Sequence, residues 1–190
     1  MIKKALWTSM KDSNAESFKA IMEFEDDQAK NELIPHLITM FKSMKEESPY
    51  PINRYEHSLQ SATLAYHDGA SEELIVAALF HDIADHVTPY NHAEGAATIL
   101  KPFVSAKTYW IVKHHGVFQG VYFWHHIGRD RNARDKYKDH KWFSDCAYFC
   151  EHYDQLAFDP DFENLPLEFF MPIVNRIFTR KPFGEHVGIE

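Results

Sequence analysis

A chain of 190 residues, 45% hydrophobic and 25% charged, has the composition of one soluble globular domain, not of a repeat array or a disordered tail. Its formal charge of −8, with no basic run, argues against a nucleic-acid backbone or an anionic membrane as the main partner. No window approaches a membrane span and the first residues hold too short an apolar stretch for a signal peptide, so a cytoplasmic protein is the expectation.

Glycine and proline are sparse, and most of the chain shows helical spacing. "SFKAIMEFEDDQ" and "NELIPHLITMFKSMKEE" repeat apolar residues at i, i+3 and i+4 and read as helices. Pro49 and Pro51 mark a break before "INRYEHSLQSATLAYHDG". There Tyr55, Leu59, Ala62 and Tyr66 share a stripe, and Gly69 supplies a stop. The pair His67-Asp68 before that glycine reads as a solvated C-terminal turn.

Ser71 is a suitable N-cap, with Glu72 and Glu73 in the first turn where acids favour the helix dipole. That helix is expected to run on through "LIVAALFHDIADH", apolar almost all round and therefore central. "AEGAATIL" and "SAKTYWIVKHH" read as two helices split at Pro102. The aromatic and β-branched stretch "GVFQGVYFWHHIG" has no partner strand elsewhere and is expected as loop and short helix.

"DHKWFSDCAYFCEHYDQLAF" is helical again, "FDPDFENLP" is a loop, and "LEFFMPIVNRIF" is a last helix interrupted near Pro172. Cys146 and Cys150, spaced i, i+4, would share one helix face, which disfavours a disulfide between them. A zinc site would want a second pair and none exists, so both read as core. The expected architecture is all-α, a single domain over residues 1–190.

One segment interrupts the apolar pattern with chemistry. In "HDIADH" a continuing helix would set His81 and Asp85 on one face, with Asp82 a step round. An antiparallel partner helix would bring His57 close. Imidazole and carboxylate together suit iron, manganese, zinc or nickel.

His57 in "YEHSLQSATLA", His81-Asp82 in "AALFHDIAD" and Asp154 in "CEHYDQLAF" resemble the His…His-Asp…Asp pattern of the HD-domain metalloprotein superfamily. The resemblance runs from His57 to Asp154 and implies a helical bundle around one or two metals. It places the metal-binding core at 50–160, with helical extensions at both ends. Two further histidines mark the dinuclear members: His115 in "WIVKHHGVF" fits one, with His114 as the alternative, and His92 in "NHAEGAATIL" resembles the other. The implied ligands are His57, His81, Asp82, His92, His115 and Asp154, with Asp82 bridging.

Most of the superfamily hydrolyses phosphate esters. A smaller set are mixed-valent di-iron oxygenases, including myo-inositol oxygenase and the enzymes that cleave hydroxylated phosphonates. "HSLQSA", "KHHGVF…WHHIGRD" and "FSDCAYFCEHYD" are similar to segments of that smaller set. The resemblance thus implies two irons, Fe(II)/Fe(III), dioxygen and a small hydroxylated substrate such as a 1-hydroxy organophosphonate. The alternative is a metal-dependent phosphohydrolase acting on a nucleotide or phosphomonoester. Gly116 and "GVYF" depart from the glutamate and Gly-Tyr-Pro of the cyclic-dinucleotide hydrolases, which counts against that type.

Asp85, His86, Gln119, Trp124 and Arg129 are the candidate substrate-binding residues. Asp85 stands where many members carry lysine or histidine. It would repel phosphate, and would instead hold a cation or a substrate hydroxyl, or orient a metal-bound histidine. Phe118, Tyr122, Phe123 and Trp124 read as core, with a pocket wall suited to an ammonium group as the alternative.

Overall fold

Seven α-helices organise residues 4–188, the part of the chain described by a computed structural model, and no strand occurs among the described residues. They are α1 (Ala15–Ser43), α2 (Arg54–His67), α3 (Glu72–Phe80), α4 (His92–Leu100), α5 (Ala106–Phe123), α6 (Phe143–Phe149) and α7 (Leu167–Phe178). The all-α architecture is therefore the one expected. Three helix starts are capped by side-chain oxygens: Asn53 accepts from the Glu56 N–H, Ser71 from Leu74 and Ser105 from Thr108. After α2 the chain turns at Gly69 with φ +72°, a left-handed conformation that a side chain resists.

The chain divides into two compact units, Met1–Ile38 and Thr39–Glu190. In the first, the Trp7 indole N–H donates to Ser17 Oγ and its ring stacks on Phe18. The two helical segments expected here form one continuous helix, α1, which runs on through Pro35.

In the second unit α3 is central, and Ile75 to Phe80 are all buried. Helices α2, α5 and α7 pack against it. Phe80 meets the edges of Phe41 and Phe178, and burying each such ring is worth about 2 kcal/mol. Cys146 and Cys150 are free and buried, each thiol directed at a carbonyl of α5, as their core reading requires.

Three boundaries differ from expectation. Helix α3 stops at Phe80, and 81–87 is a series of turns. The His81 Nδ1–H takes the Ala78 carbonyl at 2.8 Å, and the following amides of Ile83 and Asp85 bond three residues back. Helix α5 continues to Phe123, so the aromatic run is helical and only Trp124–Ile127 is a tight 3-10 turn. Helix α7 is continuous through Pro172, whose missing N–H would have met the carbonyl of exposed Glu168 in the first turn.

Gly95 seats α4 against the turns that follow α3. A Cβ there would lie 2.4 Å from Thr88 Oγ1 and 2.8 Å from the Ala84 methyl. This close approach brings His92, at the start of α4, within 3.3 Å of Asp82.

Candidate metal centre

Three buried imidazoles are fixed by the same device. His57 Nδ1 lies 2.8 Å from the Ala157 carbonyl, His81 Nδ1 2.8 Å from Ala78, and His115 Nδ1 2.7 Å from Val112. A carbonyl only accepts, so each Nδ1 carries a proton and each Nε2 turns a lone pair inward. His57 Nε2 and His81 Nε2 stand 3.1 Å apart. Two lone pairs so placed repel unless a cation lies between or beside them.

Carboxylates surround these nitrogens. Asp154 Oδ1 is 3.4 Å from His57 Nε2 and 3.7 Å from His81 Nε2, and accepts from Gln119 Nε2 at 2.9 Å. Its other oxygen is buried with no hydrogen-bond partner. Asp82 divides its two oxygens. Oδ1 lies 3.3 Å from both His92 Nε2 and His115 Nε2. Oδ2 lies 3.6 Å from His81 Nε2, 3.8 Å from His57 Nε2 and 2.9 Å from Arg54 Nη1.

His57, His81, Asp82, His115 and Asp154 are each at most 3% exposed. Anionic oxygens and imidazole lone pairs at such depth are costly without a cation. Two overlapping groups have the reach to hold an ion: His57, His81 and Asp154, and His81, Asp82 and His115. His92 joins the second through Asp82. The orphaned Asp154 oxygen and the opposed imidazoles both fit a metal-binding centre of nitrogen and oxygen donors.

Burial and neighbouring charge compete at each of these groups. Burial pushes the Asp82 carboxyl up, but His81, His115 and Arg54 override it and hold it well below the ordinary range. Burial likewise opposes ionisation of Asp154, and His57 and His81 outweigh it. Burial lowers the His81 imidazole, yet Asp82 and Asp154 carry it above its usual value. In His92, which is less deeply buried, burial prevails over Asp82 and its pKa falls.

Local structure supplies the convergence. His57 is on α2, His81 and Asp82 begin the turns after α3, His92 opens α4 and His115 is on α5. Asp154 ends a π-helical turn, Cys150–Asp154, closed by the Gln155 N–H on the Cys150 carbonyl. One extra residue in a turn rotates the residues after it by about 100° relative to a regular helix. His114, the alternative to His115, faces away: its Nδ1–H donates to the Trp110 carbonyl and its ring lies against Trp110 and Tyr137.

A cavity of about 600 Å³ opens from Asp82, His92, His115 and Asp154. Its aromatic wall is Tyr50, Tyr90, Tyr122, Phe123, Trp124 and Phe158. Gln119, Trp124 and Arg129 of the substrate-binding expectation line it. Asp85 lies behind His92 instead, Oδ1 at 3.6 Å from His92 Nδ1 and Oδ2 at 3.5 Å from Arg54 Nε. His86 is exposed and off the lining. The aromatic run splits: Phe118 is fully buried core, and Tyr122, Phe123 and Trp124 face the cavity. Arg54, Tyr50 and Phe158 also line the cavity, outside the residues the sequence pattern singles out. Arg54 precedes His57 by three residues on α2, a spacing that puts the two on one face.

Residues 54–145 match the family model of the HD domain. Asp154 lies beyond the matched residues and joins the other buried histidines and Asp82 through the π-turn. Among curated proteins, the chain is similar to a [1-hydroxy-2-(trimethylamino)ethyl]phosphonate dioxygenase (glycine-betaine-forming) of Leisingera caerulea. The two are 33% identical over 76 residues, covering 34% of this chain and 39% of the relative. The match therefore spans about two-fifths of that relative's length. No helix among the described residues is long and apolar enough to cross a membrane.

Proposed function

We propose that the protein is a non-haem di-iron oxygenase that uses dioxygen to oxidise or cleave a small hydroxylated substrate of the 1-hydroxy organophosphonate class. The observation that carries this reading is the division of Asp82, one oxygen facing His92 and His115 and the other facing His57 and His81. A carboxylate so shared suits two cations. His57, His81, Asp82, His92, His115 and Asp154 would hold two irons as a mixed-valent pair. Bound there, the irons would supply dioxygen activation beside a carbon that bears a hydroxyl.

The chain's own residues would bind and orient the substrate. Arg54 and Arg129 bring guanidinium groups to the cavity, and their forked donors match the oxygens of a phosphonate. Gln119, whose amide donates to Asp154, would fix a hydroxyl with its free oxygen. The aromatic wall would exclude water and offer ring faces to an ammonium group. The relative's name contains both a phosphonate and a trimethylamino group, and this cavity has a counterpart for each.

The test is an oxygen electrode. Iron-loaded protein is expected to take up oxygen only when a hydroxyphosphonate or polyol is added. Release of phosphate from nucleotides or phosphomonoesters without oxygen uptake would replace this reading with a metal-dependent phosphohydrolase.

A further inference from the structure

A second cavity, of about 470 Å³, lies between α5 and the segment at 140–142 and shares no lining residue with the metal pocket. Lys101, Lys113 and Lys141 line it together with His114, His140, Tyr109, Trp110 and Trp142, and no acidic residue does. That is unexpected in a chain with 28 acidic residues against 20 basic ones. None of the three lysines is in an ion pair with a carboxylate among the described residues; the neighbouring Lys107 is, with Asp145. Rings hold the ammonium groups instead: Lys101 and Lys113 lie 5.0 and 5.9 Å from the centre of Tyr109, and Lys141 4.3 Å from Trp142. A cation–π contact positions an ammonium without neutralising it, so its charge stays free for an incoming anion.

The floor is aromatic and carries hydrogen-bond donors. Trp110 is stacked on His140 at 4.1 Å and 4°, with His114 4.3 Å away. His140 Nδ1 accepts from the Trp142 N–H, so its proton sits on Nε2 and that nitrogen is a donor. Three ammonium groups and an imidazole N–H, facing no carboxylate, select a multiply charged anion. The partly exposed rings of Tyr109 and Trp142 add a surface for a flat apolar group. A cavity of this size takes a molecule rather than a bare ion.

We infer that this cavity binds a nucleoside diphosphate or a phosphorylated ring compound of similar size, its phosphates on Lys101, Lys113 and Lys141 and its ring against Trp142. The site is independent of the chemistry at the metal centre.

The chain's four tryptophans make the test local, because Trp110 and Trp142 line this cavity, Trp124 lines the metal pocket and Trp7 lines neither. With the purified protein, ADP at about 1 mM should shift the indole N–H resonances of Trp110 and Trp142 and leave that of Trp7 in place. Equilibrium dialysis should show ADP affinity falling at least tenfold in the Lys113→Ala/Lys141→Ala double variant and unchanged in Trp124→Ala. Pyrophosphate should bind at least tenfold more weakly than ADP. The inference is overturned if only Trp124 responds, if the double lysine variant binds ADP as the parent does, or if pyrophosphate matches ADP.

Discussion

His57 Nε2 and His81 Nε2 face each other at 3.1 Å, each with its other ring nitrogen committed to a backbone carbonyl. Neither ring can turn away without breaking that bond and leaving a buried carbonyl unpaired. Two unprotonated Nε2 atoms fixed in this way would repel, and a cation held between or beside them, a proton or a metal ion, relieves it. Stripping metal with a chelator should therefore lower the melting temperature, since an ion that binds only the folded chain stabilises it by mass action. Protein refolded with iron should approach two ions per chain by elemental analysis. His57→Ala removes one face of the opposed pair and should shrink the chelator-induced loss of stability. An unchanged metal content in both His57→Ala and Asp82→Ala would move the site elsewhere.

Asp85 touches His92 and Arg54 without lining the cavity. If His92 holds a metal as proposed, the carboxylate 3.6 Å behind its Nδ1 would orient the imidazole once the site closes on the ion, so Asp85→Ala should weaken binding of one metal about 10- to 100-fold. The other ion, nearer His57 and Asp154, should bind as before. Stepwise metal titration followed by calorimetry separates the two. Asp85→Asn keeps an accepting oxygen and should recover most of the loss.

Much of this centre is legible in the sequence, and for identifiable reasons. His81 and Asp82 end a strongly apolar stretch, where a polar residue is conspicuous, whereas His57 lies in the mixed segment "RYEHSLQSA" and is found through its resemblance to the HD-domain pattern. The preference for His115 over His114 comes from the resemblance, and the structure buries His115 on the inner face of α5. The π-turn before Asp154 leaves no periodic trace, because one extra residue in a helix of seven looks like noise. Nor does the stop at Phe80. The apolar pattern continues past it, and the competing bond comes from His81 to the Ala78 carbonyl. Tyr50 and Phe158 reach the cavity from segments outside the helices, where no spacing rule applies.

Glu73 joins three elements: it accepts from the Ser105 N–H at the start of α5, from Thr108 Oγ1, and from Arg180 just beyond α7. Burial pushes its carboxyl up, but the Ser105 amide and Arg180 prevail and hold it below the ordinary 4.5. A group whose pKa falls on folding stabilises the native state above its unfolded pKa. That contribution is lost as pH drops from about 4.5 through the lower folded value. Glu73→Gln should cost about 1–2 kcal/mol at pH 7, since the site is half-open to solvent. In urea titrations the gap between parent and variant should narrow at pH 3. A gap that is constant with pH would mean that packing, not charge, is responsible.

Gly95 tests how α4 delivers His92. A methyl group at this position would meet Thr88 Oγ1 at 2.4 Å and the Ala84 methyl at 2.8 Å. Thr88 has limited freedom to give way, because its hydroxyl donates to the Ala84 carbonyl at 3.1 Å. Gly95→Ala should therefore cost about 1–3 kcal/mol by overpacking, less up to about 1 kcal/mol that alanine regains as a better helix former. The clash should push the start of α4 outward, taking His92 from Asp82 and weakening one metal more than the other. Thr88→Ala removes the nearer obstacle and leaves the Ala84 methyl, so the Gly95→Ala/Thr88→Ala pair should recover part of the stability and part of the metal affinity together. Recovery of stability without recovery of metal binding would show that the glycine serves packing alone and that His92 is placed by something else.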